Sequence, residues 1–327
     1  MLNSFIGTDL SRIAAALRSG DAGDALRRYL APDRGIDPGR RIDTFADGAS
    51  VLPHVEPSMR PPGRWPVGRQ NPLATGQQLA VNRIVGELAD GTGVTTVNGP
   101  PGTGKTTLLR DVVAAVVVRR AEILSALPSL DAAFVGEVFY VENGLRRPVP
   151  TLRPDLTGWE VVLATNSNAA AENVTHELPT APEDEIDRLR TVGHFPDLAS
   201  RFLAKPAWAL VAAALGNRKN RRRFADVVWW PGDTERVPGM RARLRAAADD
   251  PASCQREWAV AVEAYQQVRD RVERLTSHRQ TAADALRRHT GYPERRRALA
   301  ADALQALYRR LGWAPVARML TVAGAGE

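Results

Sequence analysis

The run Gly99-Pro100-Pro101-Gly102-Thr103-Gly104-Lys105-Thr106-Thr107 constrains this chain more than any other segment. It lies between a short β-prone stretch, residues 94–97, and an apolar-periodic stretch that continues to about Leu127. The spacing fits GxxxxGK(S/T) at every fixed position, and strand, loop, helix is the setting in which such a match carries meaning. Glycines at these positions let the backbone turn so that successive amide hydrogens face one point, and the helix beginning near Lys105 adds its positive end there. The segment therefore predicts a cradle for phosphate groups. Lys105 is expected on the β- and γ-phosphates of a nucleotide and the Thr106 hydroxyl on Mg²⁺.

Around this loop the chain alternates. Thr75 and Gln78 have capping-box spacing and Val81, Ile84, Val85 and Leu88 follow at helical intervals, which predicts a helix over about residues 76–89, ended by Gly91 and Gly93. Further β-prone runs at residues 138–141 and 161–164 predict a second and a third strand, with a helix over residues 168–178. Strands alternating with helices predict an α/β fold with a parallel sheet. Residues 1–70 read as an amino-terminal extension and linker, the latter rich in Pro, Gly and Arg from 53 to 69. Residues 71–235 read as the nucleotide-binding core. Residues 236–327 read as a mostly helical subdomain, in which Trp258, Val262, Tyr265, Val268, Val272 and Leu275 recur at spacings of three and four, as in a helical hairpin or short coiled coil. Arg295, Arg296 and Arg297 read as a charged helix face.

Composition narrows the rest. The formal charge of +7 favours a polyanionic partner. Of 44 basic residues only Lys105, Lys205 and Lys219 are lysines, so a lysine in the glycine-rich loop stands out against an arginine background. Arg218, Lys219, Arg221, Arg222 and Arg223 fall together beside Trp229 and Trp230, a pattern suited to following a nucleic-acid backbone with aromatics at hand for stacking. A single cysteine, Cys254, leaves no disulfide framework and no thiolate cluster. The longest purely apolar run, residues 112–118, falls far short of the roughly 20 residues of a membrane span, and a cytoplasmic location is expected.

The loop, with its flanks, resembles that of the superfamily 1 DNA and RNA helicases of the nonsense-decay and replication type, over about residues 71–230, half the chain. Leu73, Gln77, Ala80 and Val81 resemble the Q motif of that family, which implies Gln77 as the reader of adenine. Residues 161–174, with Ser167, Asn168, Ala170 and Glu172 matching, resemble motif Ia, which implies Ser167 and Asn168 near a single strand of DNA or RNA. The resemblance implies a RecA-like P-loop NTPase fold, ATP and Mg²⁺ at Gly99, Pro100, Pro101, Gly102, Thr103, Gly104, Lys105, Thr106 and Thr107, and a catalytic part for Lys105 and Thr106. The same loop occurs in AAA+ ATPases, where Thr165 and Asn166 would be sensor residues. That alternative needs an acidic pair at the end of an intervening strand, and residues 138–141 carry valine where the aspartate belongs.

Later helicase motifs are not found. Asp249-Asp250 follows an Arg- and Ala-rich helical stretch rather than an apolar strand, Asp184-Glu185 lies in a charged helical stretch, and both read as solvated carboxylates. No γ-phosphate glutamine or second-domain arginine is recognisable before Glu327. The expectation is a piece of a longer reading frame, whose second motor domain follows in cis or comes from a partner chain.

Overall fold

In the computed structural model, which describes residues 4–32, 41–44, 48–68, 72–100, 102, 104–165, 168–191, 193–230 and 237–288, helices dominate. In order they are α1 (Ser4–Ser19), α2 (Asp24–Tyr29), α3 (Gly48–Val51), α4 (Thr75–Glu87) and α5 (Lys105–Ser125). After the ribbon β1 (Phe134–Glu142) and β2 (Leu145–Leu152) come α6 (Asn168–Glu177), α7 (Glu183–Arg190), α8 (Pro196–Leu203), α9 (Arg218–Phe224), α10 (Met240–Asp249) and α11 (Pro251–Arg288). No described helix is long and apolar enough to cross a membrane.

The expected RecA-like parallel sheet is not formed: the described residues hold one two-stranded antiparallel sheet. The reason is local. Asn143 and Gly144 both adopt positive φ, 52° and 76°, the backbone that a two-residue hairpin turn needs and that Asn-Gly favours. The run at 138–141 therefore folds back on the segment after it, pairing Val138 with Val149 and Val141 with Arg146. Residues 94–97 and 161–164 run without a ladder. Central strands of a parallel sheet are covered on both faces, whereas Val162 here is 90% exposed.

The chain divides into two compact units. The first holds the described residues up to Val55 and from Met59 to Val272. Its largest apolar cluster joins Trp65, Ala114, Leu178, Ile186, Leu189, Trp208 and Ala209. The Pro- and Gly-rich stretch before α4 thus packs into the core. Gly63 is pressed so closely on α5 that a Cβ would lie 2.7 Å from the Ala114 carbonyl oxygen, and Trp65 meets Trp208 edge to face at 5.5 Å, an arrangement worth about 1 kcal/mol beyond burial. A second cluster joins α8 to Ala207 and Val228. The stretch after Pro206 is buried at Ala207, Trp208 and Ala209 but is not helical. The second unit holds Glu56–Ser58 and the described residues from Glu273 on. In it the Gln280 side chain accepts from Ser58 N at 3.0 Å and donates to Glu56 at 2.9 Å. The long apolar seam forms one continuous helix, α11.

Candidate functional site

The glycine-rich loop ends at Gly104, which adopts the left-handed conformation (φ 74°) and caps the 21-residue helix α5. Its carbonyl accepts from Thr107 N at 2.9 Å and Leu108 N at 3.2 Å, so the first turn is closed behind the loop. Only glycine suits this position: besides the φ, a Cβ would collide with the Gln77 amide. Gly102 is also left-handed, at φ 83°. Lys105 is exposed, and its Nζ donates to the carbonyls of Gly99 at 2.6 Å and Pro100 at 3.0 Å. Thr106 and Thr107 are exposed in the first turn. Pro101 and Thr103 lie outside the described residues.

Helix α4 lies along α5, with Ala80, Val81 and Leu108 buried between them. Gln77, three residues into α4, accepts from Ala74 N at 3.0 Å and reaches Gly104 O at 3.4 Å. The helix therefore starts one residue earlier than the capping-box spacing predicted. Gln77 closes its amino terminus and Gln78 is buried instead. Gln78 Nε2 donates to Asn82 Oδ1 at 2.8 Å, and Asn82 Nδ2 donates to the His54 carbonyl at 2.7 Å. Asp111, two turns along α5 and 4% exposed, accepts from Arg64 Nε at 3.0 Å and Trp65 N at 2.7 Å. A buried carboxylate is tolerable only when paired in this way. Sequence reasoning missed Asp111. The signal was there, a lone acid in the apolar stretch after Leu108.

Helix α6, which the later residues of the motif-Ia-like segment enter, touches α5. Arg110 of α5 donates to Glu177 of α6 at 2.9 Å, and Val174 and Leu178 pack into the main core. Asn168 opens α6; Ser167 lies outside the described residues. Among the described residues no group of three or more His, Cys, Asp or Glu could hold a metal ion.

The basic cluster is less uniform than its sequence. Arg223 donates to the Phe202 carbonyl at 2.7 Å with its guanidinium over the Phe202 ring, 5.0 Å from the centroid. Arg221 donates to the Leu215 carbonyl at 3.1 Å, and Arg222 faces Asp226 at 3.7 Å. Arg218 and Lys219 are exposed at the head of α9, where Asn217 caps the helix by accepting from Asn220 N at 2.8 Å. After α9 the chain widens into a π-turn, Ala225–Trp229, closed by Trp230 N donating to Ala225 O at 3.0 Å. Leu215, Arg221, Phe224, Ala225, Trp229 and Trp230 line an open cavity of about 460 Å³. The two tryptophans were legible in the sequence, whereas Leu215 and Phe224 were not, because a turn with α-helical spacing would have placed them differently.

No protein-family model, curated protein or solved structure matches this chain.

Proposed function

We propose that this chain is the ATP-binding part of an ATP-dependent DNA or RNA helicase or translocase, taking Mg²⁺ with the nucleotide and a single nucleic-acid strand as partner. The observation that carries the reading is the head of α5, where a left-handed glycine, an exposed lysine and an exposed threonine follow one another at the positive end of a 21-residue helix. A helix amino terminus with such a loop favours anions through its unpaired amides and its dipole. The Lys105 ammonium rests on two neutral carbonyls of its own loop. Hydrogen bonds to ionised acceptors are roughly twice as strong, so phosphate oxygens would outcompete those carbonyls for it. The residues present fit the nucleotide in this respect. Mg²⁺ would rest on the Thr106 hydroxyl, phosphate oxygens and water, as this ion commonly does. To read adenine, Gln77 would have to exchange its bonds to Ala74 N and Gly104 O for the base edge.

Bound ATP supplies the phosphoanhydride; the chain's own residues hold and orient it. An arginine to meet developing charge would come from a second motor domain, in cis or from a partner chain. Calorimetric titration of wild type and Lys105→Ala with ATP and Mg²⁺ tests the reading. Loss of the ammonium is expected to weaken binding at least about tenfold, roughly 1.4 kcal/mol. Equal affinities would remove this loop as the phosphate site.

A further inference from the structure

We propose that the cavity bounded by Leu215, Arg221, Phe224, Ala225, Trp229 and Trp230 receives one base of a single-stranded nucleic acid, while Arg218 and Lys219 hold the neighbouring phosphates. The proposal shares with the reading above only the expectation of a nucleic-acid partner. Three features carry it. The cavity, about 460 Å³, lies within the ~300–1,000 Å³ range of small-ligand sites. Its walls are apolar and aromatic, with Trp229 38% and Trp230 58% exposed, and with ring centroids 6.4 Å apart at 42° they present two differently tilted faces. Every base has a π-face, so such a wall accepts bases with little regard to sequence. Leaving two tryptophans this open has a cost in water that a stacking partner removes.

The second feature is the charge beside the cavity. Five cations precede it, and the structure sorts them: Arg223 and Arg221 are turned onto backbone carbonyls, and Arg222 faces Asp226. Arg218 and Lys219 project at the head of α9, with no ion pair to any described carboxylate, free to meet phosphate. Arg221 contributes differently, since its bond to Leu215 O fixes the loop that forms one wall. The third feature is the π-turn itself. Its wider backbone brings Trp229 and Trp230 round to Leu215 and Phe224, and such turns recur where a helix is shaped for a ligand. An apolar, aromatic hollow flanked by cations is complementary to a base attached to a phosphate chain.

Two strands separate base from phosphate: a fluorescein-labelled oligothymidylate of about ten nucleotides, within the ~4–16-nucleotide footprint of strand-binding surfaces, and an abasic strand of equal length. Binding is followed by fluorescence anisotropy without ATP, so failure of the phosphate loop does not bear on the outcome. Wild type is expected to prefer the thymidylate strand by about tenfold, in line with base–aromatic stacking. Trp230→Ala should bring the two strands within about twofold and Trp230→Phe should keep the preference. Arg218→Ala with Lys219→Ala should weaken both strands alike. Equal wild-type affinity for the two strands, no binding of either, or a preference that survives in Trp230→Ala overturns the proposal. So does polyglutamate competing as well as the abasic strand in wild type and losing that ability in Trp230→Ala, which would assign the cavity to an acidic peptide.

Discussion

The loop at the head of α5 and the segment from Leu215 to Trp230 both offer positive charge, and they do so in opposite ways. The first has one lysine and a backbone shaped around it: left-handed Gly102 and Gly104, a closed first turn, and Gln77 packed behind. The second has five cations in six residues, of which Arg221 and Arg223 hold the fold together. Count of charge is therefore a poor guide to a site, and what decides is whether the charged group is already engaged. Among the described residues the lysine is held by carbonyls of its own turn, while the guanidinium of Arg223 donates to the Phe202 carbonyl and lies over that residue's ring.

This contrast can be broken at several points, beginning with the largest effect. If the loop binds but does not complete a catalytic site, the chain should turn ATP over below about 1 s⁻¹ and gain little from added single-stranded DNA or RNA, because an arginine acting in trans is worth about 10³–10⁵ in rate in P-loop enzymes. A phosphate-release assay measures it. Faster turnover that vanishes in Lys105→Ala would show that the loop commands a carboxylate within this chain.

Next is the anchor under the loop. Asp111→Ala would leave the buried Trp65 amide unpaired and the Arg64 guanidinium without its ion-pair partner, and the expected loss is about 2–3 kcal/mol of stability. Because Arg64 is 45% exposed, most of that loss is assigned to the amide. Urea unfolding monitored by tryptophan fluorescence reads it as a lower midpoint with the slope unchanged. Asp111→Asn, which keeps an acceptor, should lose less. Equal losses in the two variants would mean that charge, not the hydrogen bond to Trp65, holds α5 to residues 64–65.

The smallest effect separates the cations of the second region. Arg223→Ala should cost about 1 kcal/mol in unfolding, as a lost hydrogen bond does, and leave the salt dependence of strand binding unaltered. Replacing Arg218 and Lys219 should leave stability in place and flatten the log–log salt slope by about 0.7 for each phosphate contact removed. If Arg223→Ala flattens the slope instead, the division into engaged and available cations is wrong.

Local chemistry was legible in the sequence, and long-range partnership was not. Lys105 at the start of a helix, the helix over 75–87 and the seam of α11 follow from spacing that acts within a few residues. β-prone composition says only that a segment suits a pleated surface, and does not name the strand beside it. Residues 94–97, 138–141 and 161–164 look alike on that ground. Only the second has Asn143-Gly144 after it, and it alone found a neighbour, close in sequence and antiparallel. The burial of Trp65 depends on Trp208, 143 residues away, and nothing in a Pro- and Gly-rich stretch announces that. The cavity at Trp229 and Trp230 depends on a single residue's worth of extra turn between Ala225 and Trp230, which no spacing rule for α-helices contains.

The ribbon has two edges that are chemically unequal. In antiparallel pairing, residues alternate between pairs that exchange hydrogen bonds and pairs that do not, and proline, having no N–H, belongs in the second kind. Pro148 and Pro150 lie opposite Phe139 and Glu137. Being two apart, both turn their nitrogens outward. The outer side of β2 is therefore silent as a donor at two successive sites, while β1 contains no proline and presents Val138, Phe139, Tyr140 and Val141 all 47% exposed or more. A strand laid along β2 would miss two donors that β1, which carries no proline, keeps. The hairpin's prolines thus guard the outer side of β2 against the edge-to-edge association to which open ribbons are prone.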